Sequence, residues 1–283
     1  SYFSFYEGFN EVLTFKIIFW CNHVIHGSCY CNDERTRREK GIKFTMKIKY
    51  LKSPNFEQVK RRNIKYIIIH YTGMKTAQES IKRLRSKKHK VSSHYFINEG
   101  GKITQLVNDK DIAWHAGISS WKKDRNLNSK SIGIELQNKG EEFGYHKFKL
   151  SQIKSLISLI EILQTKYKIK KSNVLGHSDI APLRKMDPGY LFPWHRLAAK
   201  GLAILPKKNN SKTPLKVSEI KSLQQLLRDF GYKITLSSLM DKETLQVIYA
   251  FESHYCPEEL EDFTVKRKLL GYLKELISRQ REA

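Results

Sequence analysis

The sequence predicts an α/β protein: a central mixed β-sheet flanked by helices, followed by a small all-α C-terminal domain. Residues 64–72 form a continuous β-branched and aromatic run, and 131–138 form a second apolar segment, both typical of strands buried on both faces. Segments with apolar residues at helical spacing alternate with them. The chain has 283 residues and a hydrophobic fraction of 40%, which allows two folded units.

The first 45 residues differ from the rest, and we predict an N-terminal extension that is signal-like or disordered. Residues 12–21 form an apolar run that Lys16 interrupts. This run is shorter than the ~20 residues that a membrane-spanning helix needs, and it resembles a weak signal-peptide core. Residues 32–41 are a run of charged residues expected to be solvated. Met46 could itself correspond to a translation start. We therefore expect no transmembrane span and assign no function to this extension.

The middle of the chain alternates strands and helices. The segment at 92–107 has Gly100 and Gly101 between two apolar runs, which predicts a hairpin. The segment at 151–168 has apolar residues three and four apart, which predicts an amphipathic helix. In chain order we predict a strand at 64–72, a helix at 76–86, the hairpin at 92–107, a strand at 131–138 and the helix at 151–168.

The C-terminal part has a different pattern. Lys, Asn, Ser and Pro between 206 and 214 indicate a linker. Residues 217–232 have an apolar helical stripe that ends at Gly231, and 240–255 repeat the pattern with Asp241 as N-cap. We therefore predict an α/β domain at 46–205, a linker at 206–214 and a helical domain at 215–283.

Charge and cysteine content limit the function classes. The net charge of +24 favours contact with a polyanion, which leaves nucleic acid, anionic lipid and an acidic envelope polymer open. The lysines are spread along the chain, so we expect a generally cationic surface and no specific nucleic-acid partner. The middle of the chain has no cysteine, which excludes a disulfide framework for the main fold. Near the N-terminus, Cys29 and Cys31 with His23 and His26 have a spacing that fits zinc modules poorly.

Four residues could meet at one edge of the predicted sheet. His70 ends the first strand, Glu135 lies in the second, and His177 and Asp187 lie in a loop containing proline and glycine after the long helix. Functional groups of α/β proteins gather at strand ends. Two imidazoles and a carboxylate form the ligand set of a catalytic zinc, which lowers the pKa of its bound water. The alternative is a packed strand-end histidine and a simple Asp-Pro-Gly turn.

Two more roles complete this hypothesis. Glu135 would be the general base that orients and deprotonates the water. Lys185, two residues before Asp187, could place its ammonium group on the developing oxyanion.

Five ordered segments carry a family resemblance. They are IIIHYT at 67–72, SSHYFINEGGKITQLV at 92–107, AWHAGISSW at 113–121, NSKSIGIELQN at 128–138 and GHSDIAPLRKMDPG at 176–189. In this order they resemble the N-acetylmuramoyl-L-alanine amidases of the AmpD and AmiD type, whose fold is shared with peptidoglycan recognition proteins. The resemblance implies zinc ligands at His70, His177 and Asp187, a catalytic glutamate at Glu135 and an oxyanion lysine at Lys185.

The resemblance also implies substrate contacts. Trp114, His115 and Asn138 are expected to border the substrate groove, with a structural turn histidine as the alternative for His115. His94 is expected to be a packed strand residue. Arg184 has three open roles: support of the site, contact with a peptide carboxylate, or a surface position.

The C-terminal helices resemble the three-helix peptidoglycan-binding domain of cell-wall hydrolases. The glycine-rich stretch usual between those helices is reduced here to KITLSSLMD at 233–241. The alternative is a helical appendage that only covers the rest of the protein.

The implied function is hydrolysis of the amide between N-acetylmuramic acid, or its anhydro form, and L-alanine of the stem peptide, with one zinc ion per chain. Expected partners are peptidoglycan or soluble muropeptides, in the bacterial cell envelope or periplasm, with the cytoplasm as the alternative. A non-catalytic peptidoglycan-binding protein on the same fold is the second hypothesis, although such relatives usually lack a zinc ligand. A polyanion-binding protein is the third.

Overall fold

The structure is a computed structural model that describes residues 12–13, 47–261 and 264–282. It divides into two compact units, Ser1–Tyr50 and Leu51–Ala283. In the first unit, β1 (Val12–Leu13) pairs antiparallel with β2 (Ile48–Tyr50). The cysteines and histidines at 21–31 lie outside the described residues, and so do the predicted charge run and Met46.

The second unit carries the remaining elements. Its strands are β3 (Phe56–Glu57), β4 (Tyr66–Tyr71), β5 (Tyr95–Ile97), β6 (Ile103–Gln105), β7 (Ile112–Ala113), β8 (Ser120–Trp121), β9 (Asp124–Arg125), β10 (Ser131–Leu136) and β11 (Val174–Gly176). Its helices are α1 (Ala77–Leu84), α2 (Gly140–Phe143), α3 (Leu150–Tyr167), α4 (His177–Ile180), α5 (Trp194–Ala199), α6 (Ile220–Phe230), α7 (Lys242–Tyr255) and α8 (Lys268–Glu282). Among the described residues, no helix has both the length and the apolarity needed to cross a bilayer.

The sheet of this unit is mixed, as predicted. Its strands lie in the order β6-β5-β10-β4-β11, with β10 parallel to both of its neighbours and β11 parallel to β4. The first and last of the predicted strands form its centre, because β4 and β10 are apolar on both faces and are covered on both. The predicted hairpin is β5 and β6, which pair antiparallel and turn at Gly101 with a φ of +83°.

Helices cover the sheet. Helix α1 begins with a capping box, in which the Thr76 hydroxyl accepts from the Glu79 amide and the Glu79 carboxylate accepts from the Thr76 amide. Helix α3 agrees with the predicted segment to within one residue at each end and buries one apolar face, including Ile153, Leu156 and Ile160. The predicted elements therefore form where propensity, capping and apolar spacing agree.

The C-terminal helices share a hydrophobic core with the sheet. Residues of α6, α7 and α8 belong to the same buried cluster as Ile68 of β4 and Trp121 of β8. The fully buried Trp121 ring meets the rings of Phe230 and Tyr232 edge to face, at 5.6 and 5.0 Å between centroids. The predicted boundary at the 206–214 linker stays a prediction; in the structure, residues on both sides of it contribute to one core.

Candidate active site

Parallel strand pairing brings the predicted site residues to one edge of the sheet. In the register of β4 and β10, Glu135 lies directly opposite His70. On the other side of β4, Gly176 of β11 lies opposite Ile69, and His177 follows immediately as the first residue of α4. The C-terminal ends of three neighbouring strands therefore carry the side chains that the sequence predicted to meet.

His70, His177 and Asp187 converge closely enough to share one ion. Nδ1 of His70 lies 3.0 Å from Nδ1 of His177 and 3.0 Å from Oδ2 of Asp187, and His177 Nδ1 lies 3.1 Å from the same oxygen. All three residues are buried, and their ligand atoms lie within 4.8 Å of one another. Two imidazoles and one carboxylate match the donor set of a catalytic zinc site.

The loop after α4 turns back so that Asp187 reaches His177. The Ser178 amide donates to the Asp187 carbonyl at 2.9 Å, which closes the loop across its base. Gly189 follows with a φ of +77°, and a Cβ at that position would lie 2.5 Å from the Tyr145 hydroxyl oxygen. Only glycine fits this exit from the loop, because both the backbone angle and the space exclude a side chain.

A backbone carbonyl orients the His177 ring. Nε2 of His177 lies 3.1 Å from the Ala116 carbonyl oxygen, which can only accept, so Nε2 carries the ring proton. Nδ1 then presents a lone pair toward His70 and Asp187, as a metal ligand must. Nη2 of Arg184 donates at 2.9 Å to the carbonyls of Ala116 and Ile118. Of the three roles left open for Arg184, the structure thus shows one that supports the site.

Burial and neighbouring charges set the protonation of His70 and Asp187. Burial, reinforced by nearby His177, lowers the pKa of His70 to about 4, so this imidazole is neutral at neutral pH. Burial alone would raise the pKa of Asp187, but His177 and His70 offset it and hold that pKa well below its usual range. At neutral pH the Asp187 carboxylate and the neutral His70 imidazole are both in the form that binds a metal.

Glu135 presents an unpaired carboxylate oxygen beside this cluster. Its Oε2 is buried and has no hydrogen-bond partner among the described residues. Burial first, and the Asp187 charge second, raise the pKa of Glu135 to about 8, while Lys185 and Arg83 act in the opposite direction. A carboxyl group with a pKa near neutrality is suited to exchange protons during a reaction.

A cleft of about 450 Å³ opens in front of these residues. It is lined by the ligand triad and Glu135 together with Lys185, Trp114, Arg83 and Lys139. Arg83 and Lys139 were missed at the sequence level. Arg83 lies on α1, whose spacing predicts a helix but not which face of it borders the cleft.

The three residues predicted to contact substrate differ from one another in burial and in their position relative to the cleft. Trp114 is half-buried and lines the cleft. His115 also borders it, but both of its ring nitrogens face protein groups. Asn138 is fully buried, donates to the His146 carbonyl at 2.7 Å and accepts from the Gly140 amide at 3.1 Å. The prediction that Asn138 contacts substrate stays a prediction, and in the structure its amide joins backbone groups just after β10.

His94 is packed in the interior, as predicted, and lies directly before β5. It is fully buried, and its Nδ1 accepts from the Gly133 amide at 3.0 Å, while Nε2 lies 3.1 Å from the Asp111 carbonyl.

A buried polar network, also missed at the sequence level, ties α4 to the C-terminal helices. Asp179 of α4 is fully buried and accepts from the Tyr232 hydroxyl at 2.6 Å and from the Gly176 amide at 2.7 Å. His254 Nδ1 lies 2.6 Å from the same carboxylate, and its ring stacks on Trp194 at 3.5 Å between centroids. Tyr232 and His254 from the C-terminal part of the chain therefore anchor the helix that carries His177.

The raised pKa of Glu135 has a consequence for stability. We expect Glu135→Gln to increase the free energy of unfolding of the metal-free protein, more so at about pH 8.5 than at about pH 5. Below about pH 4.3, the pKa of the carboxyl in the unfolded protein, the group is protonated in both states and does not affect stability. As the pH rises from there through the folded pKa, the folded protein holds more protons than the unfolded one, so the free energy of unfolding falls. Glutamine has no such loss. Urea titrations with chelator at both pH values measure the difference, with Glu161→Gln, at an exposed position of α3, as control. An equal gain at both pH values would contradict the shift.

The family model for N-acetylmuramoyl-L-alanine amidase (Amidase_2) matches residues 60–190. The amidase AmiD of Escherichia coli K12 is 38% identical over 212 residues, which span 69% of this chain and 75% of AmiD. The chain belongs to the N-acetylmuramoyl-L-alanine amidase family. The predicted family and enzyme class are thereby confirmed.

Two further comparisons agree with this membership. The 1,6-anhydro-N-acetylmuramyl-L-alanine amidase AmpD of Haemophilus influenzae is 35% identical over 179 residues, covering 56% of this amidase and 93% of AmpD. The solved structure of E. coli AmiD with anhydro-N-acetylmuramic acid-L-Ala-D-γ-Glu-L-Lys superimposes with a TM-score of 0.68 at 34% identity. It covers 78% of this amidase and 91% of the AmiD chain, which confirms the predicted fold class.

Proposed function

We propose that this amidase uses one zinc ion to hydrolyse the amide between the lactyl group of N-acetylmuramic acid and L-alanine of a peptidoglycan stem peptide. The observation that carries the proposal is the convergence of His70, His177 and Asp187 beside the unpaired carboxylate oxygen of Glu135. The AmiD relative has been solved with an anhydro-muramyl peptide of this kind, which supports the substrate class.

The donor set favours zinc among the available cations. Nitrogen-rich sites of two imidazoles and one carboxylate suit zinc, whereas magnesium and calcium prefer oxygen ligands. Zinc in such a site supplies a Lewis acid for the amide carbonyl and a nucleophile at neutral pH. The three proposed ligands belong to β4, α4 and the loop after it.

Glu135 and Lys185 are proposed to act on the substrate itself. Glu135 would take the proton of the attacking water and deliver it to the departing L-alanine nitrogen, a transfer for which its raised pKa is suited. Lys185 lines the same cleft, and its ammonium would stabilise the negative charge that develops on the carbonyl oxygen. Trp114 lines the same cleft and is proposed to border the substrate.

We propose the bacterial cell envelope as the place of action, with peptidoglycan or its soluble fragments as the partner. The net charge of +24 favours contact with the acidic polymers of the envelope. A cytoplasmic role on soluble anhydro-muropeptides is the alternative, and AmpD, which is named for the 1,6-anhydro sugar, is the relative that favours it.

A digestion experiment tests the function and the substrate form together. Purified sacculi and a soluble anhydro-muramyl tripeptide are incubated separately with the protein, and the products are identified by mass spectrometry. We expect free stem peptide beginning with L-alanine, its loss after chelator treatment and its return on adding zinc. Binding of muropeptide without release of peptide in the zinc-loaded protein would instead support the non-catalytic hypothesis. Salt-sensitive DNA binding without hydrolysis would support the polyanion-binding one.

A further inference from the structure

His115 contacts Nε2 of His70, whereas Nδ1 of His70 faces His177 and Asp187. Nδ1 of His115 lies 3.0 Å from Nε2 of His70, and the two rings meet edge to face with their planes at 84°. On its other side, Nε2 of His115 lies 3.2 Å from the hydroxyl oxygen of Ser131, which is fully buried at the start of β10. Both nitrogens of His115 therefore face other protein groups, as in the alternative that gives this histidine a structural role.

The backbone of β10 leaves space for this ring. A Cβ at Gly133 would lie 2.4 Å from Cγ of His115 and 2.6 Å from two further ring atoms. Gly133 does not have a positive φ, so its value here lies in the missing side chain and not in backbone freedom. Any other residue at this position would displace His115 from His70.

The chain of hydrogen bonds has a determined direction. The Ser131 hydroxyl lies 2.6 Å from the Leu127 carbonyl oxygen, which can only accept, so the single hydroxyl proton is donated there. The Ser131 oxygen must then accept from Nε2–H of His115. A neutral imidazole with its proton on Nε2 has a lone pair on Nδ1, and this nitrogen accepts from Nε2–H of His70. His70 is left with a lone pair on Nδ1.

We propose that His115 and Ser131 are positioning residues that hold His70 in the tautomer whose Nδ1 can bind the metal. The Ala116 carbonyl does the same for His177. Two ring nitrogens and a carboxylate then converge as acceptors, an arrangement that a bound cation satisfies. The proposal rests on the proposed function for the identity of the ion, but its statement about the His70 tautomer holds for the metal-free protein.

The tautomer is measured directly by NMR. Long-range ¹H–¹⁵N correlation spectra of the metal-free protein, labelled at histidine, distinguish a protonated ring nitrogen from an unprotonated one. In the wild type we expect His70 to be protonated at Nε2 only. Ser131→Ala removes the oxygen that receives the His115 proton, so we expect a population of His70 protonated at Nδ1. A wild-type His70 protonated at Nδ1 would overturn the proposal.

Ser53→Ala is the matched control. Ser53 is also fully buried, and its hydroxyl also donates to a backbone carbonyl, that of Leu84, at 2.6 Å. Its other bond comes from the Asn55 amide, away from His70. We expect Ser53→Ala to leave the His70 tautomer unchanged. This control distinguishes the effect of the hydrogen bonds from Ser131 through His115 to His70 from the general effect of losing a buried hydroxyl.

Zinc affinity gives the second readout. By competition with a chelator, Ser131→Ala is expected to bind zinc about tenfold more weakly or worse, and Ser53→Ala to bind it as the wild type does. His115→Gln keeps one acceptor and one donor and should retain more affinity than His115→Phe, which keeps the ring without nitrogens. Wild-type tautomer and affinity in Ser131→Ala would overturn the proposal. A wild type that binds no zinc would instead contradict the proposed function. The spectra of the metal-free protein would still test whether His115 and Ser131 hold the His70 tautomer.

Discussion

Replacing Glu135 by alanine is expected to lower turnover about 10²- to 10⁴-fold while zinc stays bound. The carboxylate lies beside the ligand triad without belonging to it, and its unpaired buried oxygen is the group available for proton transfer. Initial rates on an anhydro-muramyl peptide, together with zinc per chain after dialysis, measure the two properties separately. Glu135→Gln, which keeps the shape, is expected to fail in the same way.

Asp187→Ala provides the contrasting variant. It removes a proposed ligand whose oxygen lies about equally close to both imidazoles, so the dialysed protein is expected to lose zinc as well as activity. The two variants should therefore fail for different reasons. Retained turnover in Glu135→Ala would exclude this residue as the base, and full zinc content in Asp187→Ala would exclude the aspartate as a ligand.

A chain that ends at Leu205 is expected to lose cooperative folding. The deletion removes α6, α7 and α8 and exposes apolar residues of the sheet side, among them Ile68 and Trp121, that now lie in the shared core. It also removes Tyr232 and His254, two hydrogen-bond partners of the Asp179 carboxylate on the segment that carries His177. Thermal unfolding followed by circular dichroism measures the loss. A truncated protein that unfolds cooperatively and still cleaves muropeptide would show that the helices are an independent module.

Point variants on α7 test the same contact in the full chain. Phe251 is fully buried in the shared core, and Phe251→Ala is expected to reduce the free energy of unfolding by about 3–5 kcal/mol. Leu245 on the same helix is 47% exposed, and Leu245→Ala is expected to change it by no more than about 0.5 kcal/mol. If α7 belongs to the core of the whole unit, Phe251→Ala also lowers the temperature at which activity is lost.

Local patterns were sufficient to predict most elements around the site. The continuous apolar runs at 64–72 and 131–138 predicted central strands, because a strand that is apolar on both faces must be covered on both. His70 and Glu135 then had to lie near one sheet edge, since parallel strands end together. The ligand set followed from the motif resemblance, which names residues by their order in the chain and needs no distance.

Side-chain direction at the site was beyond local patterns. His115 and Asn138 lie in segments that the family places near substrate, yet one ring contacts His70 and the other side chain is enclosed by backbone groups. The contact between His115 and His70 joins positions 45 residues apart, and it depends on the space left by Gly133 on a neighbouring strand. No periodicity in the sequence encodes such a three-way arrangement.

The sequence by itself determined the family, the α/β class and the residues able to bind a metal, because these depend on residue type, order and alternating apolar character. Only the tertiary structure decided which ring nitrogen of His70 and of His177 faces the Asp187 carboxylate. It also decided that the C-terminal helices complete the core under the site. Both outcomes depend on contacts between distant segments, whose geometry is set when the sheet, the loop after α4 and the last helices pack together.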